Sequence, residues 1–249
     1  MHREATGLAV ARHITYETLG STNAEALALA RAGERGPLWI TARSQSAGRG
    51  RRGSTWVSPP GNLYATLLLA EPSKPEHAPQ LSFVTALALH DALAACAPQL
   101  APRLKVKWPN DLLLAAAKLA GILIEGESEP TFAVAIGIGV NCAAHPDDTA
   151  YPATDLAAAG AAVTPDLVFA ALSAAMLMRL AQWRRGEGFS GIRADWLARA
   201  AGLGQDIRVR LPEREVCGRF QGLDDAGRLL VQQPDGMTAV TAGEVFGLG

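Results

Sequence analysis

Long hydrophobic runs are missing from this chain of 249 residues. It contains no stretch of about 18 uncharged apolar residues of the kind that spans a bilayer. Its opening, MHREATGLAVARH, has no apolar core for a secretory signal. These absences predict a cytoplasmic protein. Cysteine is scarce: Cys96, Cys142 and Cys217 stand far apart with no CxxC, which excludes a zinc ribbon and a paired redox motif. HExxH and mixed His-Cys spacings are also missing, so no protein-built metal site is expected. There is no basic excess, since 23 Lys and Arg face 24 Asp and Glu. A general nucleic-acid or anionic-membrane binder is therefore not expected. What is plentiful is apolar residue: 49% of the chain, at a mean hydropathy of +0.10, enough to fill a core.

The pattern is α/β. Thr22 to Glu25 has the spacing of a capping box, opening a helix that ends near Gly33. LWITAR (38–43) and NLYATLLL (62–69) read as strands, and the alanine-rich stretch from Leu81 as a buried helix. LKVKW is a strand stopped by Pro109, and KLAGILIE (118–125) and FAVAIGIGV (132–140) form a hairpin turning at Gly126 to Pro130. Thr164-Pro165-Asp166 starts a helix reaching about Arg185, and a second helix covers Ile192 to Ala201. From Asp206 the strands become short and are broken by Pro-Glu, Asp-Asp-Ala-Gly and Pro-Asp-Gly turns, the pattern of a small β-barrel. A boundary near Gly202 to Gln205 divides a domain of residues 1–202 from one of 203–249.

Three stretches carry chemistry. SAGRGRRGSTW, Ser46 to Trp56, packs three glycines and three arginines into eleven residues. Its Gly48 to Gly53 matches GxGxxG, but STWVSPPG cannot open the helix that a dinucleotide-binding turn requires. No glycine is followed by lysine, so a Walker A loop is excluded, and the partner motifs of a kinase glycine loop are lacking. Flexibility with positive charge points instead to a loop that closes over an anion, with Ser44-Gln45-Ser46 offering polar groups at the end of the preceding strand. In KWPND, Pro109 presents Asn110 and Asp111 at a strand end, and Lys118 follows seven residues on, so an acid and an amine can meet. In GIGVN (137–141), the glycines permit close backbone approach and Asn141 offers an amide to a base edge. Singly, each has a plain structural reading: a basic surface loop, a solvated hairpin, an Asn turn.

In this order, STN (21–23), QSAGRGRRGSTW, KWPND with KLAG, GIGVN and a β-rich tail, the chain resembles the bacterial biotin protein ligases from about Thr15 onward. The resemblance implies a catalytic domain with a mixed sheet, related to class II aminoacyl-tRNA synthetases, and a C-terminal SH3-like barrel. It implies ATP-dependent formation of biotinyl-5′-AMP with release of pyrophosphate. Biotin then passes to a lysine of the biotin carboxyl carrier protein of acetyl-CoA carboxylase. Carried over by position, Ser21, Thr22, Asn23, Gln45, Gly48, Arg49, Lys118 and Gly121 would bind biotin. Arg49, Arg51, Arg52, Trp56, Asn110, Lys118 and Asn141 would bind ATP or the adenylate. Lys118, Arg49, Arg51 and Asp111 would be catalytic, with Asp111 either taking the proton of the incoming lysine or assisting Mg²⁺. Members that repress transcription carry a helix-turn-helix before the STN motif, and Ser21 leaves no room for one. A ligase without operator DNA, monomer or homodimer, is the expectation. A lipoate ligase, a non-catalytic biotin or adenylate sensor, and a general nucleotide-binding module are the alternatives.

Overall fold

The structure, a computed structural model, describes residues 11–147, 149 and 151–247. The first seven strands form one mixed sheet: β1 (Arg12–Leu19), β2 (Leu38–Gln45), β3 (Leu63–Ala70), β4 (Leu104–Lys107), β5 (Asp111–Leu114), β6 (Ala117–Glu127) and β7 (Ala133–Val140). Their order is β1-β2-β3-β7-β6-β5-β4, parallel between β1 and β2 and antiparallel elsewhere. β3 lies near the centre, and its first seven residues are buried, as a strand covered on both faces requires.

Helix α1 (Thr22–Arg31) covers one face, packing Ala26 and Ala30 on Leu38, Ile40 and Leu68. Its N-cap is Ser21, whose hydroxyl accepts from the Ala24 N–H. The capping box read at Thr22 is thus displaced by one residue: Glu25 turns instead to accept from the Tyr16 hydroxyl. On the other face lie α2 (Leu81–Cys96), α3 (Pro165–Trp183) and α4 (Phe189–Leu197). α3 buries Val168, Leu172, Met176, Leu180 and Trp183, a stripe at helical spacing. By length and composition alone the helix over 165–186 is apolar enough to cross a membrane, yet that stripe is spent on the core.

One guanidinium ties the three helices together. Arg179 on α3, only 13% exposed, donates to Asp91 of α2 at 2.8 Å and to Asp195 of α4 at 2.6 Å. Burial works against ionisation of Asp91, but hydrogen bonds from His90 and Arg179 outweigh it and hold the acid below its ordinary range. Asp195 is lowered too, first by Gln182 and then by Arg179 against burial.

β8 (Asp206–Arg210), β9 (Glu215–Leu223), β10 (Leu229–Gln233), β11 (Gly236–Val240) and β12 (Glu244–Phe246) form a separate antiparallel sheet, β11-β10-β9-β8-β12. It meets the larger layer where the Trp108 indole donates to the Gly227 carbonyl at 3.2 Å.

Arg179→Met should cost about 2 kcal/mol in urea unfolding, less than a fully buried pair because both acids are about one-third exposed. Because both folded pKa values are depressed, the wild-type gain is full above about pH 4 and is lost as the pH falls through the folded values. The variant should lose that acid-side dependence.

Candidate functional site

From Ile136 to Val140, β7 alternates isoleucine or valine with glycine. Ile136, Ile138 and Val140 enter the core, so Gly137 and Gly139 face the opposite side, where β6 presents Gly121 across from Gly139. The result is a strip of sheet with no side chains. Above it opens a cavity of about 620 Å³.

The strip is closely occupied. A Cβ on Gly137 would stand 2.3 Å from the Asn23 side-chain oxygen, and one on Gly139 2.5 Å from Trp56 Nε1. The indole spans both strands, since a Cβ on Gly121 would meet its far edge at 3.0 Å. Its Nε1 is buried without a hydrogen-bond partner among the described residues.

One end of the cavity is a polar nook at the start of α1. The backbone N–H and hydroxyl of Thr22 donate to Gln45 Oε1 at 2.9 and 3.2 Å, and Gln45 Nε2 donates to Ser58 Oγ at 3.0 Å. Asn23 donates to Glu125 at 2.8 Å, and Arg49 donates to the same carboxylate at 3.0 Å. Glu125 is missed by sequence reasoning, although alternation from Gly121 through Leu123 places it on this face.

The Gly/Arg stretch is a miniature hairpin rather than an open loop. The Trp56 N–H donates to the Gly48 carbonyl at 2.9 Å and that of Gly50 to Ser54 at 2.7 Å, with Arg49 bridged to Thr55. Arg52 and Gly53 turn it at φ 55° and 75°. Gly48 is needed for packing, because a Cβ there would lie 2.4 Å from the Trp56 carbonyl oxygen. It is the one residue of the expected site that lies outside the cavity lining.

At the other end Lys118 Nζ stands 2.9 Å from Asp111 Oδ1, an oxygen that is buried and accepts no well-aligned hydrogen bond. A bulge explains how Lys118 arrives. β5 pairs Leu112 with Ala120 but Leu113 with Lys118, leaving Leu119 extra and buried in the core. Strict alternation from Gly121 would send Lys118 to the core face; the bulge returns it to the cavity. Asn110 donates to the Ile122 carbonyl at 2.7 Å and accepts from Arg51 at 3.2 Å. Arg51 also donates to the Gly243 carbonyl at 3.4 Å, so the C-terminal sheet reaches the site. Burial, and then Arg52, pull the Arg51 pKa down, while Asp111 and Glu244 oppose them. Lys107, almost fully buried, lies 4.2 Å from the Tyr151 ring centroid, and burial lowers its pKa as well. Asn141 donates through its amide nitrogen to the Thr154 carbonyl at 3.0 Å.

Five cations, Arg49, Arg51, Arg52, Lys107 and Lys118, thus line the cavity against the carboxylates of Asp111 and Glu244. The excess suits a ligand with several negative charges. Lys107, Tyr151 and Glu244 carry no motif signal beyond the KWPND stretch itself.

This fold and cavity are those of an acid–protein ligase: residues 20–141 match the model of the biotin/lipoate A/B protein ligase family, and residues 202–247 that of the biotin protein ligase C terminal domain. The chain belongs to the biotin protein ligase family. A biotin–acetyl-CoA-carboxylase ligase of Paracoccus denitrificans is 48% identical over 235 residues, covering 91% of this chain and 96% of that protein. The Leishmania major biotin protein ligase, solved with biotinyl-5-AMP, is 26% identical at a TM-score of 0.66, covering 93% of this chain and 99% of that one. The Aquifex aeolicus biotin protein ligase, solved with biotin and ATP, shares the fold at a TM-score of 0.79 and 24% identity, over 94% of this chain and 97% of that one.

Gly139→Ala should drive the indole off the strip and loosen the hairpin. Trypsin should then cut at Arg49 to Arg52 faster than in the wild type, with the melting temperature lowered by only a few degrees.

Proposed function

We propose that the chain activates biotin with ATP as biotinyl-5′-AMP and transfers it to the lysine of a biotin carboxyl carrier protein. The observation that carries this reading is the cavity itself. A polar nook at one end and a cationic end holding Lys118 lie on either side of a glycine strip spanned by Trp56.

In the first half-reaction a biotin carboxylate oxygen bonds to the α-phosphorus, the α–β anhydride bond breaks, and pyrophosphate leaves. A carboxylate is already ionised at neutral pH, so positioning and charge neutralisation do the work. Ser21, Thr22, Asn23 and Gln45 are the groups for the ureido ring, because their hydrogen bonds fix donors and acceptors at one wall. Arg49, with Gly48 shaping its hairpin, and Lys118 serve the carboxylate and α-phosphate. Lys118 needs a counter-ion until substrates arrive, and Asp111 at 2.9 Å supplies it. Arg51 and Arg52 face the phosphates. Trp56 and Asn141 serve the adenine, and Asn110 holds Arg51 in place.

In the second half-reaction the acceptor amine bonds to the acyl carbon, AMP leaves, and the amine sheds a proton toward Asp111, the carboxylate beside Lys118. Mg²⁺ would enter with ATP, held mainly by phosphate oxygens; Glu244, or Asp111 in place of its proton-accepting role, is the cavity carboxylate that would assist it. Residues 1–202 form the catalytic unit and 203–249 an SH3-like one that lends the Gly243 carbonyl. The setting is the cytoplasm.

Lys118→Ala should lower single-turnover adenylation by about 10²- to 10³-fold while the ATP KM moves by no more than about threefold. Near-normal adenylation would remove Lys118 from this role. Arg51→Gly should release more free biotinyl-AMP before acceptor is added; release equal to wild type would contradict a role for Arg51 in retaining the intermediate.

A further inference from the structure

The chain from 141 to 164, between β7 and α3, is unusually long for a segment with no helix or strand among its described residues. Its base is tied. The Leu156 N–H donates to the Asn141 carbonyl at 3.1 Å and that of Ala157 to Cys142 at 3.0 Å. Asn62 gathers the N–H groups of Cys142, Ala143 and Ala144 on its one oxygen. Beyond this base the segment turns to the cavity, where Pro146, Tyr151 and Ala153 form part of the wall. It then grips Lys118 by its backbone: the Lys118 N–H donates to the Pro152 carbonyl at 2.7 Å, and the Thr154 N–H donates to the Lys118 carbonyl at 3.0 Å.

One side-chain pair closes this excursion. His145 Nδ1 lies 2.6 Å from Asp155 Oδ2, and the Asp155 side chain is only 6% exposed. Its other oxygen accepts from the Ala158 N–H at 2.6 Å, so the carboxylate is fixed from both sides. Asp155 follows Thr154, whose N–H holds Lys118 and whose carbonyl receives Asn141. A shift at Asp155 is therefore transmitted to the two cavity groups set at the phosphate and adenine ends. A buried carboxylate that loses its donor is costly, so the pair enforces one register.

We propose that His145 and Asp155 are positioning residues: a clasp that sets the wall formed by Pro146, Thr149, Tyr151 and Ala153 and, through Thr154, the placement of Lys118 and Asn141. Neither residue lines the cavity. The inference rests on the ligase reading for its kinetic consequence, and its structural consequence is independent of that reading.

The test compares His145→Ala and His145→Asn with wild type, because Asn keeps an N–H donor near the Nδ1 position. Hydrogen exchange of the Thr154 and Leu156 amides should quicken about tenfold in His145→Ala. The ATP KM should rise about tenfold with the biotin KM within about twofold, and free biotinyl-AMP should increase, each largely restored in His145→Asn. Unchanged exchange, an equal rise in both KM values, or no recovery with Asn would each overturn the clasp. A wild-type protein without biotin-dependent adenylation would overturn the ligase reading alone, because the exchange comparison needs no turnover.

Discussion

The bare strip of Gly121, Gly137 and Gly139 is the constraint on which the site depends. Here three consecutive positions on one face offer none, and Asn23 and Trp56 come within 2.5 Å of where Cβ atoms would stand. The alternation that empties this face fills the other, because Ile136, Ile138 and Val140 from the same strand are core residues. Stability and access are thus served by opposite faces of one strand.

Around the strip the architecture solves an electrostatic problem. Two anionic reactants repel, and an anhydride between them is exposed to water. Five cations converge from three separate stretches: the hairpin, the KWPND strand end and the bulged start of β6. Resting counter-charges keep them apart from one another, Glu125 on Arg49 and Asp111 on Lys118. The C-terminal sheet joins this arrangement through the Gly243 carbonyl on Arg51 and through Glu244, which lines the cavity.

Much of this was legible in the sequence because glycine, proline and charge sit at informative spacings. The β6–β7 hairpin, the buried α2 and the Thr164-Pro165 helix start follow directly from periodicity and caps. β1 escapes notice because it is an edge strand with most residues exposed, so its alternation carries little hydrophobic contrast. β5 escapes because the turn joining it to β6 uses Ala115 and Ala116 at φ 49° and 68°, where Gly or Asn would have announced a hairpin. That tight turn and the Leu119 bulge bring Lys118 to Asp111, a meeting that spacing alone permits without requiring. The Gly/Arg stretch reads as flexible by composition, yet its glycines serve a hairpin whose closest contacts are backbone to backbone. The His145–Asp155 pair has no local signature, since its partners are ten residues apart in an irregular segment.

The most direct test of the account is pyrophosphate release with ATP and Mg²⁺ in the absence of acceptor, comparing biotin, lipoate and octanoate. The account predicts a burst near one equivalent with biotin alone, the adenylate staying in the cavity. A burst with lipoate or octanoate instead would contradict the assigned acid, and no burst with any acid would contradict the chemistry.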